Sequence, residues 1–322
     1  MTARCRRRVV LERLVEWAIA GASLTAVGAV FLIFAFVARE AFGLLTDLGA
    51  LRSLFGRSGP TGEWIWQPVG SKPALDVMPL LVGSLKITAT SMAIAAPLAI
   101  AAAIAAAEIL PTRARRTVAP IVEMLAGVPS VVLGLLACWV VAPAFQSALH
   151  TTYAANTLVA STALAVAVAP VVFAVTLDGL LAVPRELREA SFALGARRYQ
   201  TALRVVLPAA APAVFAALTL GFGRAVGETM IVLMSSGNAA ILDLDPTSGA
   251  RTITATIAAE LGETEQRSQH WRVLFFLGLL LVTFTFALDL AGRAVARALA
   301  RRRLGASAPT GRMRRRRIAE AT

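Results

Sequence analysis

Two charged residues lie where charge is costly. Arg224 and Glu228 occur in Gly221-Phe222-Gly223-Arg224-Ala225-Val226-Gly227-Glu228-Thr229-Met230, inside an apolar run from Pro208 to Met234. At ~1.5 Å per helical residue, Arg224 falls ~24 Å along that run, within the depth of a hydrocarbon layer. Ionisable side chains at such depth face a cavity or a partner. Their four-residue spacing places both on one helical face, and Gly221, Gly223 and Gly227 leave room for a backbone or a ligand. A guanidinium stays charged and presents paired N–H donors that match a tetrahedral oxyanion. Glu228 would hold the arginine when no anion is present, or accept a hydrogen from a protonated one. A structural ion pair at a helix interface fits the same spacing, and the residues alone leave both readings open. Lys86, near the end of another apolar run, either snorkels to the interface or lines an anion entrance.

A second constellation lies in the polar stretch 182–207. It comprises Glu189-Ala190-Ser191, then Gly195, then Val205-Val206-Leu207-Pro208. A glycine between two amphipathic pieces permits a sharp turn because it tolerates positive φ. Glu186, Arg188, Glu189, Arg197 and Arg198 supply a charged face, and Leu187, Ala190, Phe192 and Leu194 supply apolar contacts. A knuckle of this kind suits a groove on a partner, and a solvated connector has the same composition.

The elements that must position these residues are membrane spans. Hydrophobic residues make up 57% of the 322, and the mean hydropathy is +0.70. A bilayer core of ~30 Å needs ~20 apolar residues per helix. Six runs qualify: Val15–Ala38, Pro79–Ala107, Val118–Phe145, Asn156–Leu181, Pro208–Met234 and Val273–Ala296. The first is longer than the ~7–15 apolar residues of a secretory signal, so an uncleaved anchor is expected. Basic residues favour the cytoplasmic side. They concentrate before the first span (Arg4–Arg13), at Arg113–Arg116, at Arg185–Arg204 and in the tail from Arg293 to Arg317, which predicts both termini inside. The net charge of +13 is then a topology signal and a set of contacts to anionic lipid headgroups, with no need of nucleic acid.

The expected layout is a cytoplasmic tail 1–14, an anchor helix 15–38 and an outer segment 39–78. A five-helix core 79–297 follows, with the inner loop 182–207 and the outer segment 235–271 inside it, and then a basic tail 298–322. Trp64 and Trp66 in the first outer segment anchor it at the headgroup level or meet an external protein. Ile253–Leu261 predicts a short helix in the second. Several chemistries are excluded. The only lysines are Lys72 and Lys86, and neither completes G-x-x-x-x-G-K-[ST]. If ATP drives the protein, another polypeptide binds it. Cys5 and Cys138 cannot form a disulfide framework, and two isolated histidines make no metal site. No cofactor and no enzyme active site are expected.

The spacing of Glu189, Ala190, Gly195, Val205, Leu207 and Pro208 resembles the coupling-loop motif of ABC-importer permeases, with Ser191 where Ala is usual. Gly223-Arg224-Ala225-Val226-Gly227-Glu228-Thr229-Met230, followed by Gly237-Asn238, resembles the C-type permease of phosphate-specific ABC importers. Gly83-Ser84-Leu85-Lys86-Ile87-Thr88, Gly127-Val128-Pro129-Ser130 and Arg251-Thr252-Ile253-Thr254-Ala255 are similar to the same group. The resemblance implies an all-α fold of type I importer-permease core and a heterodimer with an A-type permease. It also implies two copies of a cytoplasmic ATPase docked on Glu189–Pro208, an external phosphate-binding protein, and a pathway involving Arg224, Glu228 and Lys86. A permease for another oxyanion or solute, or an ion-coupled secondary transporter, are the alternatives.

Overall fold

The computed structural model describes residues 3–46, 48–59, 62–70 and 73–306; the expected tail from 307 on lies outside them. Among the described residues the regular elements are helices, apart from one two-stranded ribbon. Helix α1 spans Ala3–Leu45 and α2 Leu48–Ser53. Strands β1 (Trp66–Gln67) and β2 (Ala74–Leu75) pair antiparallel. Then come α3 (Met78–Ile109), α4 (Thr112–Met124), α5 (Ser130–Leu149) and α6 (Thr157–Leu181). Helices α7 (Arg185–Ala193), α8 (Arg198–Ala209) and α9 (Ala211–Gly227) follow. The last three are α10 (Met230–Ser235), α11 (Ile253–Glu260) and α12 (Gln269–Ala306).

Among the described residues five helices are long and apolar enough to cross a bilayer, and α8 with α9 make a sixth if that pair, bent by 72°, is one broken span. The bend falls between Pro208 and Pro212, neither of which can donate a backbone hydrogen bond. Just before it the chain widens into a π-turn, where Leu207 N–H reaches the Ala202 carbonyl. The third span differs from the sequence expectation. It starts at Ser130, and Val118–Met124 belong to a separate helix, α4, that also absorbs the expected short loop at 112–117. Val128 and Pro129 are extended, and Pro129 closes one helix before the next begins.

Helix α6 organises the bundle. Asn156 caps it by accepting from Val159 N–H at 3.1 Å, and 61% of its most apolar window is buried. Small residues allow this: Ala163, Ala167 and Val168 let α3 and α9 approach closely. Gly179 and Gly221 sit where any side chain would strike Ala213 and Val172, respectively. By contrast α1, whose most apolar window is 0% buried, packs chiefly on α12, with Phe36 edge-on to Phe275 at 5.6 Å. Its remaining apolar surface suits lipid.

A second apolar cluster lies at the end of the bundle where α6 begins, and joins Leu44, Leu54, Val77, Leu80, Ile253 and Leu274. Trp66 belongs to it and is only 3% exposed. The headgroup role expected for this tryptophan is therefore not met: its indole is a core side chain of the ribbon.

Candidate functional site

The helix that carries Arg224 does not continue to Glu228. It stops at Gly227, and Glu228 is extended (φ −72°, ψ 134°) before α10 starts at Met230. The expected shared face is thus lost. Among the described residues no hydrogen bond or ion pair joins Arg224 to Glu228, so the structural-pair reading has no contact behind it. Arg224 is exposed and lines a cleft of about 450 Å³ with Thr219, Gly223, Thr285 and Asp289, between α9 and α12. Glu228 is half-buried, and among the described residues its carboxylate accepts only the neighbouring Thr229 N–H, at 3.2 Å.

The break at Glu228 is held open from a distant part of the chain. Thr254, in the Arg251–Ala255 motif, donates its hydroxyl to the Glu228 carbonyl at 2.8 Å. That carbonyl is left without a helical partner where α9 ends. Thr252 caps α11 by accepting from Ala255 N–H at 3.2 Å. Ser84 of α3 accepts from Ile253 N–H at 3.0 Å, and Gly83 abuts the Arg251 carbonyl so closely that no side chain fits there. Gly237 (φ 75°) and Asn238 (φ 49°) turn the chain back toward this region. Asn238 Oδ1 then accepts from Arg251 Nε at 3.0 Å. Three motifs far apart in sequence, at 83–88, 221–238 and 251–255, meet at one place.

Glu260 completes the arrangement. Its carboxylate accepts from Arg251 Nη1 at 2.7 Å, from Trp66 Nε1 at 3.1 Å and from His270 Nε2 at 2.9 Å. Ribbon, α11 and α12 are joined through one side chain that is 14% exposed. Lys86 also reaches this end. Its ammonium donates to the Asp243 carbonyl and to Ser248 Oγ, each at 3.0 Å. The loop that receives it is built on Asx turns. Asp245 N–H donates to Asp243 at 2.9 Å, and Thr247 donates its N–H and hydroxyl to Asp245 at 2.8 Å. Those donors hold both carboxyls below the usual carboxylate range.

At the opposite end, beyond Leu181, α7 and α8 form a hairpin. Gly195 has φ 82°, the conformation expected for the turn. Ser191, the departure from the usual motif, is buried and shares a hydrogen bond with Thr201 across the hairpin at 2.9 Å. Glu189 and Ala190 lie exposed on α7, and Leu207 and Pro208 sit at the head of the bend. Leu194 is 90% exposed, and Leu187 and Phe192 are also exposed. Sequence reasoning missed the role of Arg188 and Glu108. Arg188 forks onto Glu108 at the end of α3, with Nη2 at 2.7 Å and Nε at 3.1 Å. Its Nη1 donates to the Val183 carbonyl at 2.6 Å and its Nη2 to Leu180 at 2.8 Å. The available signal was a lone acid closing an apolar run, three residues before Pro111.

An all-helical bundle with a broken span and a protruding hairpin defines a multi-pass permease core. Residues 95–303 match the family described as "Binding-protein-dependent transport system inner membrane component", and the chain belongs to that family. It is 37% identical to the probable ABC transporter permease protein YqgH of Bacillus subtilis over 69% of this chain and 72% of that one. It is 31% identical to the phosphate transport system permease protein PstC 1 of Mycobacterium tuberculosis, over 90% of this chain and 94% of that one. For the corresponding PstC of Mesorhizobium japonicum the identity is 30% over 80% and 84%. Among solved structures, the inward-facing MetNI methionine ABC transporter superimposes with TM-score 0.51 at 21% identity, covering 69% of this chain and 94% of that one. A bacterial alginate ABC transporter with its periplasmic protein gives 0.53 at 16%, covering 84% and 95%. These two establish the fold, a type I ABC-importer permease core; the family match makes it a multi-pass protein of the inner membrane.

Proposed function

We propose that this chain is the C-type permease subunit of an ATP-driven importer of inorganic phosphate. The observation that carries this reading is the convergence of the 83–88, 221–238 and 251–255 motifs at the broken end of α9. Relatives that share the chain nearly end to end are phosphate transport system permeases. The subunit pairs with an A-type permease, and a cytoplasmic ATPase dimer hydrolyses the ATP. A periplasmic phosphate-binding protein delivers the anion at the α11 end, and membrane lipids cover α1. Both termini are cytoplasmic, which puts the α7–α8 hairpin, with Glu189, Ala190, Gly195, Leu207 and Pro208, against the ATPase.

Transport proceeds by alternating access. Closure of the ATPase dimer moves the hairpin, the spans open outward, and phosphate leaves the binding protein. Arg224 then offers a transient positive site. It is free of any ion pair among the described residues, so its donors are available to an oxyanion. Glu228 stands at a helix break, where backbone can rearrange at modest cost, and Lys86 lies nearer the entrance. The site's affinity stays modest, since it must release what it accepts.

The test is ATP hydrolysis and uptake by the four-part complex in liposomes, with phosphate-loaded or sulfate-loaded binding protein outside. Wild type is compared with Arg224→Gln and Glu189→Lys. Expected results are stimulation by phosphate alone, uptake lowered by at least ~10-fold in Arg224→Gln, and hydrolysis uncoupled in Glu189→Lys. Normal uptake by Arg224→Gln would remove Arg224 from the pathway. Equal stimulation by sulfate would replace phosphate with a broader oxyanion class.

A further inference from the structure

We propose that the Glu108–Arg188 ion pair is the link through which displacement of α7 is passed to α3 and α6. The inference rests on the reading that α7 and α8 dock on an ATPase. By covalent chain alone, α7 is joined to α6 through Ala182, Val183 and an extended Pro184 (φ −55°, ψ 142°), and no side chain caps its N-terminus. Ala182 N–H bonds the Asp178 carbonyl at 3.0 Å and Val183 N–H the Leu180 carbonyl at 3.3 Å, so the backbone torsions about Pro184 are where this connection can absorb a pull. The guanidinium of Arg188 bypasses it.

Each nitrogen of that guanidinium is engaged. Nε and Nη2 fork onto Glu108, Nη2 also meets the Leu180 carbonyl, and Nη1 meets the Val183 carbonyl. The Leu180 carbonyl belongs to the C-terminal end of α6, which carries the negative end of the helix dipole, and the Val183 carbonyl lies just beyond that end. One planar cation therefore ties three helices at fixed relative positions, which a point-charge ammonium cannot do. Both partners are shielded: the side chains of Glu108 and Arg188 are 8% and 17% exposed. Glu108 is further placed by a π-turn over Ala105–Ile109, where Leu110 N–H reaches back to the Ala105 carbonyl at 2.9 Å. Such single π-turns recur where a helix must re-aim a side chain for function. Helices α3 and α6 in turn pack along one another through the bundle, so a load arriving at Glu108 and Leu180 reaches the broken end of α9.

Arg188 and Glu108 are thus positioning residues. They touch neither phosphate nor ATP, and their effect appears in how much transport each hydrolysis event yields. The experiment measures phosphate imported per ATP hydrolysed by the full four-part complex in liposomes, for wild type, Glu108→Gln, Glu108→Asp and Arg188→Lys. Glu108→Gln keeps the volume and one acceptor but removes the charge. It is expected to lower the ratio by about 10-fold, a size ordinary for coupling between sites. Glu108→Asp, with charge retained one methylene short, and Arg188→Lys should fall between it and wild type. A merely structural pair would lower the amount of assembled complex, and uptake and hydrolysis would fall together with their ratio unchanged. That result in Glu108→Gln and Arg188→Lys overturns the proposal. Should Glu108→Gln fail to assemble, the ratio in Glu108→Asp decides by the same criterion. A wild-type complex whose hydrolysis ignores the loaded binding protein would overturn the importer reading itself. A responsive wild type with normal variants overturns only the link.

Discussion

The two ends of the bundle are held together in different ways. At the α7 end, one guanidinium ties the hairpin to α3 and α6 and one hydroxyl pair joins its two arms, while its apolar side chains, Leu187, Phe192 and Leu194, stand exposed. At the α11 end, ribbon, loop and short helices are knit to α3, α9 and α12 by a continuous network over a buried apolar cluster, while Ile241 and Leu244 of the loop stand exposed. Exposed apolar side chains on a charged hairpin mark a surface that another protein covers. A network whose donors and acceptors are matched within the chain keeps one shape. The difference separates a movable part from a fixed one. In the proposed mechanism motion enters at the α7 end, and the α11 end is the frame against which the spans shift.

That contrast makes its strongest prediction at Glu260. Its two oxygens receive three donors, one of them the Arg251 cation. Glu260→Gln removes the charge opposite Arg251 and puts an NH₂ group against groups that are themselves donors. Breaking a shielded pair by altering one partner costs about 3 kcal/mol or more. The expected outcome is a large drop in thermal stability of the purified subunit and faster trypsin cleavage at Arg251 and Arg267. The hairpin at the other end should keep its ability to bind the ATPase. A variant as stable as wild type would show that the α11 end is no more fixed than the α7 end.

A smaller effect is expected within the hairpin. Ser191→Ala leaves the Thr201 hydroxyl buried without its partner, at a cost of roughly 1–2 kcal/mol. The double variant Ser191→Ala with Thr201→Val removes both polar groups and should recover most of that loss. Chemical denaturation of the two variants side by side measures the difference. No recovery would mean that Ser191 acts through something other than Thr201, and that the two arms of the hairpin are not held by this hydroxyl pair.

The spans were legible because hydrocarbon depth forces long apolar runs, and α6 or α12 can hardly be read otherwise. The turn at Gly195 was legible because φ 82° is open to few residues other than glycine. The break at Glu228 was not. Gly-Glu-Thr-Met carries no proline, and local preference alone continues the helix. It ends there because Thr254, twenty-six positions later, takes the Glu228 carbonyl, a contact that no window of sequence contains. Arg188 and Glu108 stand eighty positions apart, and the charge of Arg188 read locally as a solvated face. Ser191 passed as a minor departure from a motif until its hydroxyl was found paired. Trp66 was misjudged for a related reason. An indole near a span fits a headgroup by composition, and only the position of Glu260 shows where its N–H is satisfied.

The smallest effect concerns the loop that holds Lys86. The carboxyls of Asp243 and Asp245 lie below their usual range, chiefly because the Asp245 N–H donates to the first and the Thr247 N–H to the second. A carboxyl whose pKa is lowered on folding contributes stability above its unfolded value, near 3.9, and that contribution is lost as pH falls through the folded value. The loop should therefore be indifferent to pH across the neutral range and loosen only on strong acidification, releasing the Lys86 contacts at 3.0 Å. Both side chains face solvent, so the global unfolding midpoint should hardly move. Amide hydrogen exchange at Asp245 and Thr247, followed from pH 6 down toward pH 3 and corrected for intrinsic exchange, reports the change directly. Protection that fades already near neutrality would point to another titrating group. Protection that survives at pH 3 would mean that the turns rest on backbone alone, and that Lys86 is held as firmly as the Glu260 network is.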